Sequence, residues 1–200
     1  MSACDAANWL WVFDAPRDIL APSAQSKLSR TTLLASLASS LFSYSLAETF
    51  MAQPLHPLVR AGAPLAWLCI NFSLQCVAFS LVLGMLYEFL RVFRDQPTPF
   101  GPWFSIGVMA LLPLHLLLPL ALLCRPLGTG GYLIYTLGEL GIAAAMIRRW
   151  AWGVQMQYEW PLWGAYLLVL SPLLIICLGI LFCTALFLTA ISLVLFGAIL

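Results

Sequence analysis

The chain has 200 residues and a net charge of +1, and its composition is far from that of a water-soluble protein. Hydrophobic residues make up 62% of it and charged residues 8%, whereas soluble domains hold roughly 45–50% and about 25%. So few charges exclude a soluble globular domain, because polar side chains could not cover its surface. The small net charge also gives no reason to expect a nucleic acid as partner. The sequence therefore predicts an integral membrane protein.

Residues 1–30 are predicted to form a cytoplasmic segment that lies at the membrane surface. Asp5, Asp14 and Asp18 interrupt it, so it lacks the uninterrupted apolar core of a signal peptide. Its stretch WLWVF places two tryptophans among apolar residues, a composition favoured in the headgroup layer. A loosely ordered tail is the alternative.

Residues 31–200 form the predicted transmembrane domain, an all-α polytopic helix bundle. An apolar helix needs about 20 residues to cross the hydrocarbon core of the bilayer. Such runs occur near residues 31–50, 63–89, 103–124, 130–147 and from 161 onward. The connections between them, such as RPLGTGG and RRWAWGVQMQYEWP, are short and rich in proline, glycine or charge, which is typical of turns between helices. No internal repeat is evident.

The last run, residues 160–200, contains no charged or histidine side chain. A single straight helix of that length would extend on the order of 60 Å, twice the thickness of the bilayer core. It is either a fifth span with an apolar extension or a hairpin that brings the number of spans to six. We expect five spans, because Pro172 and Gly179 are the only turn residues between Gly164 and Gly197.

The distribution of lysine and arginine predicts the orientation, since these residues are retained on the cytoplasmic side. With the N-terminus inside, two of the nine basic residues, Arg60 and Arg125, lie in outer loops. The other seven lie on the cytoplasmic side: Arg17, Lys27, Arg30, Arg91, Arg94, Arg148 and Arg149. We therefore predict an integral protein of the bacterial cytoplasmic (inner) membrane with its N-terminus in the cytoplasm.

Three successive predicted spans each carry a polar residue near their centre: Gln75, His115 and Glu139. A charge at the bilayer centre costs about 2.5–3.5 kcal/mol, so such groups face the bundle interior and find partners there. We predict a midplane cluster in which His115 hydrogen-bonds to Glu139 and Gln75 extends the contact. An interhelical clamp is the favoured interpretation, and a proton relay or substrate pocket is the alternative.

Further residues are predicted to surround this cluster. Tyr135 and Thr136 lie on the helix of Glu139, and Asn71 lies one turn from Gln75. Near the outer face, Glu48 and Arg125 are predicted to lie close enough to pair.

Small residues and prolines are expected to shape the helix packing. Ser36 and Ser40, and likewise Gly138 and Gly141, are placed where small side chains let neighbouring helices approach closely. The prolines on either side of His115 free backbone carbonyl groups, and the imidazole is positioned to donate to one of them.

Motifs of catalysis are missing from the sequence. His56 lies in a proline-flanked loop far from His115, so the two histidines cannot ligate one haem, and no metal-ligand spacing or phosphate-binding loop is present. We expect a non-enzymatic protein with no cofactor, metal or catalytic residue.

The order of features resembles that of the bacterial members of the Yip1 family. A segment ending WVFDAPRDIL precedes the spans, followed by IGVMALLPLHLLLPLALL, the return GTGGYLIYTLGEL and a final run after WPLW. The matching residues are Pro16, Arg17, Gly107, Pro113 and Gly131. The motif D-L-Y-G-P of the eukaryotic members is absent, and TPFGPW is at best a remnant of it. The resemblance implies five spans and a cytoplasmic N-terminus, and for bacterial members it implies no reaction.

The expected function is lateral packing against other membrane proteins or lipid, as an accessory subunit of a larger membrane complex. The expected partners are the lipid bilayer and a membrane protein or a second copy of the chain. The alternative is a small transporter or proton-conducting subunit that uses His115 and Glu139.

Overall fold

The computed structural model describes residues 29–52, 63–93 and 99–197, which are helical almost throughout and include no strand. The α-helices in these ranges are α1 (Arg30–Ala52), α2 (Pro64–Phe93), α3 (Phe100–Ala110), α4 (Leu117–Cys124), α5 (Gly128–Tyr158) and α6 (Leu162–Gly197). Two 3₁₀ segments, Leu112–Leu116 and Arg125–Leu127, flank α4. The prediction of an all-helical chain is confirmed for this part of the molecule.

Two helical stretches of the described residues are long and apolar enough to cross a membrane. One is α2, and the other is the run Phe100–Tyr158, which contains α3, α4 and α5. The second stretch turns back on itself, because Gly128 has a φ of +58° and α4 packs beside α5. These apolar helices indicate membrane association.

The predicted third span is interrupted at its first proline. Pro113 has no N–H group and its ring disfavours a regular α-helix, so α3 ends at Ala110 and the chain passes through a 3₁₀ segment before α4. The Leu114 N–H donates to the Leu111 carbonyl at 2.9 Å within this segment. His115 Nδ1 lies 3.0 Å from the Leu112 carbonyl oxygen. This carbonyl is not one of those, four residues before Pro113 or Pro119, that a proline leaves without its helical donor.

The fourth predicted connection is not a loop. Helix α5 continues to Tyr158 and ends where Glu159 adopts a left-handed conformation with a φ of 54°. Arg149 and Trp150 are buried, and the helix runs through most of the stretch 148–161 that was predicted to be a turn. The segment holds no proline before Pro161, and its large aromatic side chains gain packing when the helix continues against α3 and α6.

The last run forms one helix, so the hairpin alternative is wrong. Helix α6 has 36 residues, about 54 Å at 1.5 Å per residue, and Pro172 lies inside it without ending it. Helix α6 packs on α5 and α2 through buried residues of its first part, including Ala165, Leu168 and Val169.

The most tightly packed part of the core centres on Trp103 of α3. This side chain is fully buried, and its indole Nε1 donates to the Leu83 carbonyl oxygen at 3.0 Å. The ring centroids of Trp103 and Trp150 are 5.9 Å apart. Gly153 of α5 faces Ile106 so closely that a β-carbon would overlap it, so the glycine is what lets α5 and α3 approach.

Some predictions concern parts of the chain outside the described residues. Residues 1–28 of the predicted interfacial segment lie outside the described residues, and His56 does too. Ser29 precedes α1 and caps it, because its Oγ accepts the Thr32 N–H at 3.1 Å.

Candidate functional site

Two tyrosine–glutamate hydrogen bonds connect α1 and α5. Tyr44 of α1 donates to Glu139 Oε1 of α5 at 2.7 Å. Tyr135 of α5 donates to Glu48 Oε1 of α1 at 2.8 Å. Each helix therefore supplies one phenol and one carboxylate, and the order of the contacts shows that the helices run antiparallel here. We call these four residues the tyrosine–glutamate cluster.

The cluster rests on a repeated pentapeptide that our sequence analysis missed. Residues 44–48 read YSLAE and residues 135–139 read YTLGE, so both follow the pattern Tyr-Ser/Thr-Leu-small-Glu. In a helix, residues four apart lie on the same face, which points each tyrosine and its glutamate toward the opposite helix. Aligning the chain with itself would have found this signal.

In the structure, His115 and Glu139 each bond to α1 and not to each other as predicted. His115 Nε2 lies 3.1 Å from Ser39 Oγ, and Nδ1 lies 3.4 Å from Ser40 Oγ, whereas Glu139 bonds to Tyr44. Both partner sets belong to α1. The position of a residue along a helix does not fix the direction in which its side chain points. Helix α1 offers hydroxyl groups to both His115 and Glu139.

Pairing of Glu48 with Arg125 is also not observed in the contacts described. Glu48 instead accepts the Tyr135 hydroxyl, and the Arg125 guanidinium lies over the Phe50 ring, 5.5 Å from its centroid. An aromatic face attracts a cation by its quadrupole, so Arg125 still contacts the last part of α1.

The other predicted cluster residues lie near Glu139 in different ways. Gln75 lines a cavity together with Tyr44 and Glu139, and its Nε2 is 3.5 Å from Asn71 Oδ1. Thr136 donates to the Tyr132 carbonyl at 3.0 Å, so its hydroxyl hydrogen is used within α5.

The predicted packing residues differ in environment. Ser40 is fully buried, whereas Ser36 is half-buried and accepts the Ser39 hydroxyl on its carbonyl oxygen. A β-carbon at Gly138 would overlap Leu120 of α4, so this glycine permits a close contact between helices. Gly141 is exposed with open space beside it, and its predicted packing role is not seen within the described residues.

Two cavities meet at Glu139. The first has a volume of about 190 Å³ and is lined by Glu48, Tyr135 and Glu139 together with Met51, Ala52, Tyr132 and Thr136. The second has a volume of about 270 Å³ and extends from Glu139 along α5 to Trp150. Its lining is mostly apolar, with polar groups from Tyr44, Gln75 and Glu139 at one end.

The described contacts of this region are hydrogen bonds between phenols and carboxylates. A phenol that donates to a carboxylate satisfies both groups away from water, and the two bonds hold α1 against α5. The cluster combines a clamp with two carboxylates that border a cavity, and it supplies no nucleophile–base pair of the kind used in covalent catalysis.

Removing one phenol hydroxyl should weaken the contact between α1 and α5. We expect Tyr44→Phe to lower the free energy of unfolding by about 0.6 kcal/mol and by no more than about 1.7 kcal/mol, the mean and the maximum measured for hydrogen bonds between membrane helices. A double-mutant cycle of Tyr44→Phe with Glu139→Leu, which removes the acceptor, should give a coupling energy of similar size when unfolding is measured in mixed micelles.

Two matched variants complete this test. Tyr135→Phe removes the other bond of the cluster and should cost about as much, whereas Tyr132→Phe alters an exposed tyrosine of α5 and should change stability by no more than about 0.5 kcal/mol. Equal effects of Tyr44→Phe and Tyr132→Phe would contradict the clamp.

Comparison of the chain with protein-family models, with curated proteins and with solved structures gives no match.

Proposed function

We propose that the chain is an integral membrane protein with five spans and a cytoplasmic N-terminus. The spans are α1, α2, the pair α3–α4, α5 and α6. Arg91 in the last turn of α2 and Arg148 in α5 lie on the side predicted to be cytoplasmic, and Arg125 lies on the other. From the order of features in the sequence we also propose a bacterial inner-membrane location and membership in the Yip1 family.

Reporter fusions test the number of spans. Five spans and an internal N-terminus place the C-terminus outside, so alkaline phosphatase fused after Leu200 should be active and green fluorescent protein there should be dark. The same reporters fused after Arg94 should give the opposite result. An inactive phosphatase at the C-terminus would contradict five spans.

The function that we propose is non-enzymatic: the chain packs laterally against another membrane protein, as an accessory subunit. The observation that carries this proposal is the outer face of α2. Only 11% of the most apolar part of α2 is buried, and its exposed residues include Leu65, Leu74, Val77 and Leu81. Lipid covers such a face equally well, so the small residues on it decide between the two partners.

Cys69 and Ser73 on α2 are exposed and four residues apart. Small residues at this spacing let a second helix approach closely, which is how helices associate within a bilayer. The Ser73 hydroxyl donates to the Cys69 carbonyl at 2.9 Å, so this hydroxyl needs no hydrogen-bond acceptor from a partner. The surface at Cys69 and Ser73 is therefore shallow and its hydroxyl donor is already used. This surface favours a protein helix over lipid.

Extraction from the native membrane in mild detergent tests the proposal. A native gel followed by mass spectrometry should show the chain in fixed ratio with a larger assembly. Ser73→Leu fills the shallow surface and should reduce co-purification at least about tenfold, a loss of about 1.4 kcal/mol. Ala144→Leu, at an exposed position of α5, is the matched control. Recovery of the chain by itself or only as a homo-oligomer would overturn the accessory-subunit proposal.

A small transporter or proton-conducting subunit is the second candidate. It is favoured by one observation, the cavity that Glu48 and Glu139 both line. In liposomes that contain the purified chain and a pH-sensitive dye, this function requires proton flux that Glu139→Gln abolishes while the chain stays folded. Absence of flux in the natural chain would exclude proton conduction.

A further inference from the structure

The second cavity is lined by a residue whose buried polar group has no hydrogen-bond partner in the part of the chain that the structure describes. Trp150 lines the cavity and is 6% exposed. Its indole Nε1 is buried and has no hydrogen-bond partner among the described residues. A buried N–H group without an acceptor costs about 1–3 kcal/mol, so buried donors in folded proteins have partners. An acceptor from outside the chain would remove this cost.

The opposite end of the cavity offers groups of complementary chemistry. Tyr44, Gln75 and Glu139 lie there, and the Glu139 carboxylate accepts hydrogen bonds. Glu139 and Trp150 lie on the same helix, about 16 Å apart along its axis at 1.5 Å per residue. The cavity is therefore elongated, with an acceptor at one end and a donor at the other.

Between these ends the lining is apolar. It includes Phe79 and Val82 of α2, Leu114 of the 3₁₀ segment, and Ile142 and Met146 of α5. Apolar cavities stay free of ordered water and take up apolar molecules. The volume of about 270 Å³ equals about nine water-sized groups at ~30 Å³ each, near the lower limit for small-molecule pockets.

The entrance to the cavity lies on the side of the bundle between α2 and α5. Ala78 of α2 and Ala143 of α5 both line the cavity, and both are exposed. We infer from their small, exposed side chains that the cavity opens to the surface here. In the membrane topology proposed above, on which this step rests, that surface faces lipid tails, so a ligand enters sideways from the bilayer.

We propose that this cavity binds a small lipid-soluble amphiphile with an aliphatic body of about nine methylene-sized groups. A hydroxyl at one end of the ligand donates to Glu139. A carbonyl or ether oxygen at the other end accepts the Trp150 indole N–H. The apolar body lies along the α5 surface between the two.

The test uses methyl 10-hydroxydecanoate, which has a hydroxyl group, an aliphatic chain and an ester carbonyl in this order. The full-length chain is purified in detergent micelles with ¹⁵N-labelled tryptophan, and Trp150→Phe identifies the Trp150 indole signal. We expect the indole proton signal of Trp150 to move downfield saturably as the ester is added, because a new acceptor deshields the proton. Methyl decanoate, which lacks the hydroxyl, should bind at least about tenfold more weakly.

A pair of neighbouring alanines supplies the control. Ala143→Phe fills the cavity and should abolish the shift, whereas Ala144→Phe alters an exposed position outside the cavity and should leave it unchanged. If Ala143→Phe fails to fold, Ala78→Phe with Val77→Phe as its control makes the same comparison on α2, since Ala78 lines the cavity and Val77 does not.

An unchanged Trp150 signal, or equal shifts in the cavity variant and its control, would overturn the proposal, since the latter result means only partition into the micelle. This outcome is independent of the accessory-subunit proposal, which depends on recovery of a larger assembly. It is also independent of the topology, which the reporter fusions measure.

Discussion

Replacing Gly131 with alanine is expected to cost about 3 kcal/mol, the upper part of the range for overpacked sites. Gly131 lies in the first part of α5, directly beside the last residue of α4. A β-carbon there would overlap the Cys124 carbonyl oxygen, which belongs to the backbone and cannot move aside as a side chain does. The variant can fold only if the turn between α4 and α5 opens.

The neighbouring glycine is the matched control for this prediction. Gly130 has open space where a β-carbon would be added, and alanine is a better helix former than glycine by about 1 kcal/mol. We expect Gly130→Ala to equal or exceed the natural chain in thermal stability measured in detergent micelles. Equal melting temperatures for the two variants would mean that the α4–α5 turn is looser than described.

Trp103→Ala is expected to have an equally large effect, about 3–5 kcal/mol. The side chain is fully buried where α2, α3 and α5 meet, and its removal leaves a cavity that the surrounding helices cannot fill. It also removes the hydrogen bond to the Leu83 carbonyl. Trp103→Phe keeps most of the volume and should cost about 1 kcal/mol for the hydrogen bond in addition to a smaller packing loss.

Trp163 provides the comparison for Trp103, because it is 69% exposed. Its replacement by alanine should change the free energy of unfolding by less than about 0.5 kcal/mol. A loss at Trp163 as large as that at Trp103 would contradict the packing described for α3.

The sequence predicts the positions of the helices well because the apolar runs are long and the connections are rich in proline and glycine. Helix α1 occupies Arg30–Ala52, against a predicted span at 31–50. The prediction failed after Ile147, where arginines and tryptophans suggested a loop. Local composition could not show that Arg149 and Trp150 are buried, since residues that pack on Trp150, such as Phe79 and Trp103, lie distant in sequence.

A group of polar residues around Glu139 was predictable from the sequence, but the direction in which each side chain points was not. Hydropathy places Gln75, His115 and Glu139 at similar levels, yet the partner of each depends on how the helices are rotated about their axes. Neither Tyr44 nor Glu48 was placed in the cluster, because a single tyrosine and a glutamate near a span end are common features. The repeated pentapeptide was the available signal.

The hydrogen bonds of α1 have a consequence for biosynthesis. Tyr44 and Glu139 are 95 residues apart, and Glu48 and Tyr135 are 87 apart. At about 5–20 residues per second, translation takes roughly 4–20 s to cover this distance. During that interval α1 has left the ribosome with its tyrosine and carboxylate unsatisfied by their final partners. If α1 enters the bilayer as the five-span topology proposed above requires, a polar environment such as the interior of a translocation channel or an insertase is expected to solvate Tyr44 and Glu48 until α5 is made.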